Sequence, residues 1–316
     1  MALAVIVGIA ALIIVNPGMS QERFIQEEIK SRALGTSRTV RIYLPASYAN
    51  KTQRRYPVLY LHDGQNAFST AGAHCCFGWG SWAIDQTAGE LAASGRMKEV
   101  ILVAIDNSRF RYQEYRGPAY PYSAEELAAL KNKPSGANDD SRFEAYTSFL
   151  IEELKPKIDR DYRTQPGPRD TGLIGSSMGG IASLVIAWEH PEVFGLAASL
   201  SGAFQVERTN FIRRVLVPYS GRPKPLRLYL DSGTVDFSGG DDGRKHTERV
   251  AAELRRIGWK DDLLHYVDEK PLSEADLEKT NLSREKWAEA KTSQHNEFYW
   301  RLRAWRALTF LFPVGK

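Results

Sequence analysis

A serine set among glycines, in Leu173-Ile174-Gly175-Ser176-Ser177-Met178-Gly179-Gly180, is the stretch of this chain best suited to chemistry. It has the form G-x-S-x-G, entered by a short run at 171–174 and left by an apolar segment at 181–188 that can continue as a helix. A strand-to-helix turn of this kind needs glycines, which accept a sharp, strained backbone and keep side chains away from the hydroxyl. Ser177 is therefore the candidate nucleophile. The plainer alternative is a glycine-rich turn that merely opens a helix, and the choice rests on whether the chain supplies partners. A hydroxyl is a poor nucleophile at neutral pH. It needs a base within hydrogen-bond reach and a carboxylate that fixes the base's tautomer.

The chain holds six histidines, and three lie beyond Ser177 and outside its helix: His246, His265 and His295. His246 sits near a helix start on a solvated face and His265 inside a strand pattern. His295 falls on the loop entering the last helix, where a base belongs; an ordinary capping or surface histidine is the competing reading. For the acid, the turn Asp231-Ser232-Gly233-Thr234-Val235-Asp236 follows a strand directly. Asp231 at the strand end can simply bind turn amides. Asp236 lies further out with the freer reach and is preferred, while Asp241 and Asp242 read as a solvated loop run and rank lower. A developing oxyanion needs two backbone N–H groups, one from Met178 after the nucleophile and one from the loop 62–65, where Gly64 and Gln65 are the candidates. His62, in that loop, reads as structural. Arg109, Arg111, Tyr112 and Tyr115 can contact an anionic or aromatic substrate, with a solvated, paired arginine cluster as the equal alternative; Arg109 and Tyr115 are the substrate-binding candidates.

These groups must be held by alternating strands and helices. Residues 28–32 and 39–44 read as an edge hairpin, and 57–61 and 99–105 as nearly all-apolar strands buried on both faces, with a helix at 82–93 between them. The irregular stretch 108–140 carries a short helix near 123–130, and apolar spacing predicts a helix over 141–158. Beyond the elbow come strands at 195–200, 226–230 and 263–267, a helix at 245–257, and a closing helix at 297–312. Such alternation predicts an α/β fold, a mostly parallel sheet with helices on both faces. Residues 71–80 and 268–292 look like elaborations beside the site; the second carries helix-like stretches starting near Ser273 and Ser283 and is a candidate lid.

The 316 residues are 43% hydrophobic, enough to bury one large core, and no linker composition divides residues 21–316. Basic and acidic residues, 42 against 38, are interspersed, so nothing calls for nucleic acid. Residues 2–15 are an uninterrupted apolar run followed by small residues at 18–20. That makes 1–20 a signal or membrane-targeting segment and the destination periplasmic or secreted, with membrane contact only through this segment if it is uncleaved; a buried N-terminal helix is the alternative. Cys75 and Cys76 are adjacent and cannot staple distant parts of the fold, so two free thiols are expected rather than a strained vicinal disulfide. His74, Cys75 and Cys76 point in divergent directions with no second Cys/His cluster, and no metal site is expected.

The ordered set Leu61-His62-Asp63-Gly64-Gln65-Asn66, Ile105-Asp106-Asn107-Ser108-Arg109 with Glu114-Tyr115, Tyr162-Arg163-Thr164, Gly175-Ser176-Ser177-Met178-Gly179-Gly180 and His295-Asn296-Glu297 with Trp300-Arg301 resembles the "Putative esterase" family of α/β-hydrolases. That family is similar to enterobactin esterases, feruloyl esterases, S-formylglutathione hydrolases and mycolyltransferases. The resemblance runs from about residue 40 to 312. It implies an α/β-hydrolase fold, Ser177 as nucleophile, His295 as base, Asp236 of the G-T-x-D turn as acid, a small-molecule ester as substrate, and no metal or organic cofactor. An acyltransferase using the same acyl-enzyme is the second reading, and a catalytically silent binding protein the third. No oligomeric state is implied.

Overall fold

A computed structural model describes residues 23–134 and 136–315; the targeting segment expected at 1–20 lies outside them. The chain opens with the hairpin of β1 (Arg23–Ser31) and β2 (Thr36–Leu44). It then alternates through β3 (Val58–His62), α1 (Ile84–Ala93) and β4 (Ile101–Ile105). The long connection carries α2 (Arg111–Tyr115) and α3 (Ala124–Ala129). The helix predicted over 141–158 is α4 (Ser141–Ser148), a π-helical stretch Phe149–Leu154 and α5 (Lys155–Asp161) in continuous succession.

Next come β5 (Thr171–Ser176), the elbow, α6 (Met178–Glu189) and β6 (Leu196–Leu200). The sequence reading assigned nothing between β6 and the next strand. The structure has a short turn there, α7 (Val206–Asn210), in which Glu207, Arg208 and Thr209 take φ of 50°, 53° and 58°. Left-handed residues carry no ordinary helical periodicity, so no pattern marked them. The chain closes through β7 (Arg227–Ser232), α8 (Arg244–Ile257), β8 (Leu263–Val267), α9 (Glu274–Leu277), α10 (Arg284–Thr292) and α11 (Glu297–Leu311).

The eight strands form one sheet in the order β1-β2-β4-β3-β5-β6-β7-β8, antiparallel at β1–β2 and β2–β4 and parallel from β4 to β8. Alternation along each strand sorts side chains onto two cores. Val58 and Tyr60 of β3 and Ile101, Val103 and Ile105 of β4 join one, with α6 and α8; Leu59, Leu61, Leu102 and Ala104 join the other, with α1 and α11. Helix α6 is buried from Met178 through Trp188, so the residue at its N-terminus is fixed against the sheet. Because all parallel strands end at the same edge, the loops after β3, β5, β7 and β8 meet there, the edge at which such sheets bind ligands. A third, smaller core of Trp79, Leu277, Leu282, Trp287, Ala290, Phe298 and Tyr299 seats the elaborations around 71–80 and 268–292 against α11.

Candidate active site

Ser177 sits between β5 and α6 at φ 52°, ψ −120°, a region that L-residues rarely adopt. The neighbouring glycines make the turn possible. A Cβ on Gly175 would lie 2.4 Å from the Gly179 backbone, one on Gly179 2.9 Å from His62 Cβ, and one on Gly180 2.7 Å from Ser199 Oγ. The Ser177 amide donates to the Leu200 carbonyl at 3.0 Å, and its own carbonyl accepts from the Ala203 amide at 2.9 Å. The elbow is thus tied to the end of β6 as well as to its own strand.

His295 stands at the start of α11, its Nε2 2.9 Å from Ser177 Oγ and its Nδ1 2.6 Å from Asp242 Oδ1. The carboxylate that meets His295 is therefore Asp242, and the preference for Asp236 is corrected. The loop after β7 runs out to a tight turn in which the Gly239 amide donates to the Asp236 carbonyl and the Asp236 amide to the Gly240 carbonyl. Asp236 sits near that tip with its carboxylate accepting from Ser238 Oγ at 2.7 Å, while Asp242, at φ 55°, lies where the loop has returned to the sheet. His246 and His265 lie on α8 and β8, as read.

Asp242 is fully buried, and every bond it makes has a visible origin. Its Oδ2 accepts from Ser201 Oγ at 2.7 Å and from the Gly233 amide, and Arg303 Nη1 lies 3.8 Å away. Ser201 Oγ in turn accepts from Trp300 Nε1 at 3.0 Å and Arg303 Nη2 at 2.7 Å, which leaves its one proton for Asp242. Burial pushes the Asp242 carboxyl up, but the bonds from His295, the Arg303 charge and Ser201 outweigh it and hold the group below the ordinary carboxylate value. Asp231 lies deeper beside Arg303, and burial raises it to about 6 in spite of that cation. The acid and base loops are clamped by Gln294: its amide donates to the Val235 carbonyl at 3.0 Å and its Oε1 accepts from the Thr234 amide at 2.7 Å. Gln294, Ser201 and Arg303 carry no spacing that marks them in the sequence, and although Trp300 stands in the terminal motif, its bond to Ser201 becomes visible only when the loops converge.

The strand β3 delivers the other wall. Gly64 is buried, and a Cβ there would lie 2.5 Å from the Ile105 amide, whereas Gln65 faces the cavity. His62 is structural in its contacts: its Nδ1 meets Tyr146 Oη at 2.8 Å, its ring packs on Tyr115, and burial lowers it to about 4. Arg109 lies over the Phe110 ring, and Tyr115 is fully buried with its hydroxyl accepting from the Asp63 amide. Neither lines the cavity, which corrects both as substrate-binding candidates. Arg111 does line it, in a two-pronged pair with Asp63 at 2.6 and 2.7 Å.

The cavity over Ser177 and His295 measures about 730 Å³. Its lining combines polar groups from Asp63, Gln65, Asn66, Asn107 and Arg111 with the aromatic rings of Phe77, Trp79, Trp82, Phe237 and Trp300. Glu289, Thr292 and Ser293 close one side, so part of 268–292 is a wall of the site. Cys75 and Cys76 are free thiols. Among the described residues, no group of three or more His, Cys, Asp or Glu is arranged to hold a metal ion, and no helix is long and apolar enough to cross a membrane.

Residues 31–307 match the family described as "Putative esterase". A stretch of 182 residues, 54% of this chain, is 30% identical to an endo-1,4-beta-xylanase/feruloyl esterase of Xylanibacter ruminicola, of which it spans 20%. Among solved structures, a ferulic acid esterase superposes with a TM-score of 0.64 at 17% identity, covering 92% of this chain and 98% of its own. The enterobactin esterase of Shigella flexneri superposes with a TM-score of 0.61 at 18% identity, covering 90% of this chain and 58% of its own. At such identities the two structures carry the fold, that of the α/β-hydrolases.

Proposed function

We propose that this chain, which belongs to the "Putative esterase" family, is a carboxylic ester hydrolase that cleaves its ester through an acyl-enzyme on Ser177, with His295 as base and Asp242 as acid. The observation that carries this is one imidazole bonded on both sides, Nε2 to Ser177 Oγ and Nδ1 to Asp242 Oδ1. With Nδ1–H held by the carboxylate, Nε2 is free to accept the serine proton as Oγ attacks the carbonyl; it returns that proton to the leaving alcohol. Water then follows the same route and releases the acid. Asp242, held below the ordinary carboxylate value first by His295 and then by Arg303 and Ser201, stabilises the imidazolium that forms in both halves.

The oxyanion is assigned to two amides. Met178 is the first residue of α6, where a helix N–H has no partner within the helix and the helix dipole favours negative charge. Gln65 supplies the second donor in preference to Gly64, because Gly64 is packed against Ile105 while Gln65 borders the cavity. The five aromatic rings in the cavity lining support an ester carrying an aromatic group, in keeping with the named relatives.

Labelling with a fluorophosphonate, alongside turnover of p-nitrophenyl and methyl hydroxycinnamate esters, tests the assignment. Wild type labels and turns over; Ser177→Ala does neither, losing at least about a thousandfold in kcat. Labelling that survives in Ser177→Ala would move the nucleophile elsewhere.

A further inference from the structure

Cys75 and Cys76 stand beside the reaction centre and take no part in the chemistry above. Their sulfurs are 3.3 Å apart, and Cys75 Sγ also lies 3.2 Å from the Gly72 carbonyl. Both side chains are half-buried, and Cys76 lines the cavity over Ser177 and His295. Its thiol donates to Cys75 Sγ and stands in the field of the Glu297 carboxylate, two residues along from His295. The backbone here is unusual. Cys76 and Phe77 take φ of 56° and 57° and Gly78 follows at 86°, so two consecutive residues bearing side chains sit in the left-handed region. Such strain gathers at functional sites. Its effect is to bring two adjacent thiols, which an extended chain would send to opposite sides, onto one side.

A disulfide is a poor use of this pair. Neighbouring Cα atoms across a trans peptide are about 3.8 Å apart, short of the roughly 4.4 Å at which unstrained disulfides begin. A group that bridges the sulfurs without joining them avoids that strain. We propose that Cys75 and Cys76 form a dithiol site for a soft, thiol-bridging electrophile of the trivalent-arsenical class, and that its occupancy closes the esterase cavity. With an arylarsine oxide, two As–S bonds form and the arsenic–oxygen bonding breaks. The oxygen leaves as water with both thiol protons, and no electrons are transferred. Burial, reinforced by Glu297, pushes the Cys76 thiol well up, which disfavours ordinary alkylation there. Because Cys76, Phe77 and Glu297 all line the cavity, the aryl group carried on Cys76 fills space over Ser177 and His295.

The activity half of this inference rests on the esterase reading, whereas the binding half does not, and phenylarsine oxide separates them. Intact mass under native conditions is expected to show one arsenical on wild type and equally on Ser177→Ala, displaced by dithiothreitol and retained in a comparable concentration of a monothiol. Wild-type ester turnover falls about tenfold or more while the adduct is present and returns with the dithiol. Cys75→Ser, whose sulfur lies outside the cavity lining, keeps its turnover and loses the sensitivity. Absence of an adduct on both chains, displacement by monothiol, or equal sensitivity of Cys75→Ser would overturn the dithiol site. An adduct that leaves wild-type turnover unchanged would overturn the closure.

Discussion

Asp242 shows what a single residue contributes and why it was hard to find. Its carboxylate is fully buried, with His295 on one oxygen and Ser201 and the Gly233 amide on the other. Among the described residues, the Asp236 carboxylate has only Ser238 Oγ as a hydrogen-bond partner, and it lies near the loop's outer turn. Asp242→Asn is expected to lower kcat between about 100- and 10,000-fold, because an amide at that position cannot hold the productive tautomer, while Asp236→Asn stays within about twofold of wild type. Steady-state turnover of a p-nitrophenyl ester by both variants decides it, and the reverse ranking would return the role to Asp236. Ser177 and His295 were legible because the elbow has a local signature and because the base had to follow the last strand, on a loop. Asp242 was not legible, since an Asp pair at 241–242 just beyond two glycines has the pattern of a solvated loop run, and no local pattern reports that the loop turns back. The turn at 236–240 folds the loop back, so the residue furthest along is the one nearest the sheet.

The elements were easier to read than their ends, because burial on two faces writes unbroken apolar runs into β3 and β4 and a serine stands just before each of α9 and α10. Ser273 caps α9 through its side chain, and Ser283 precedes α10, as the two starting points suggested. What the pattern did not show is how this segment is held. Trp287 of α10 packs with Leu277, Leu282 and Phe298 in a core separate from the two beside the sheet, and its Nε1 donates to the Leu282 carbonyl at 3.1 Å. Loss of such a ring costs about 3–5 kcal/mol where it lies, and here the loss falls on a satellite. Trp287→Ala is therefore expected to expose 268–292 to limited proteolysis and to raise KM, since Glu289, Thr292 and Ser293 border the cavity. The main urea transition should move little. A drop in its midpoint with no added cleavage in 268–292 would mean that this segment and the sheet unfold as one unit.

Over the whole molecule, the two cores and the convergence of loops at one sheet edge make stability and site geometry depend on a few buried charges. His62 is lowered from 6.5 to about 4, chiefly by burial, so between these values the unfolded chain takes up a proton that the folded chain does not. Stability from this group is whole above pH 6.5 and is lost as pH falls to about 4, by about 3 kcal/mol. Asp231 acts in the opposite sense. Raised by burial to about 6, it is protonated in the folded chain first, so acidification below 6 relieves a buried charge and offsets part of that loss. His62→Gln is accordingly expected to flatten or reverse the acid limb of a Tm-versus-pH curve between pH 7 and 4, and parallel curves for variant and wild type would contradict the assignment. The central claim, a Ser177 acyl-enzyme served by His295 and Asp242, is tested most directly by intact mass after acid quenching during turnover of p-nitrophenyl acetate. A single acetyl group is expected that maps to Ser177 and is absent from Ser177→Ala; hydrolysis without an adduct, or an adduct on another residue, would contradict this assignment.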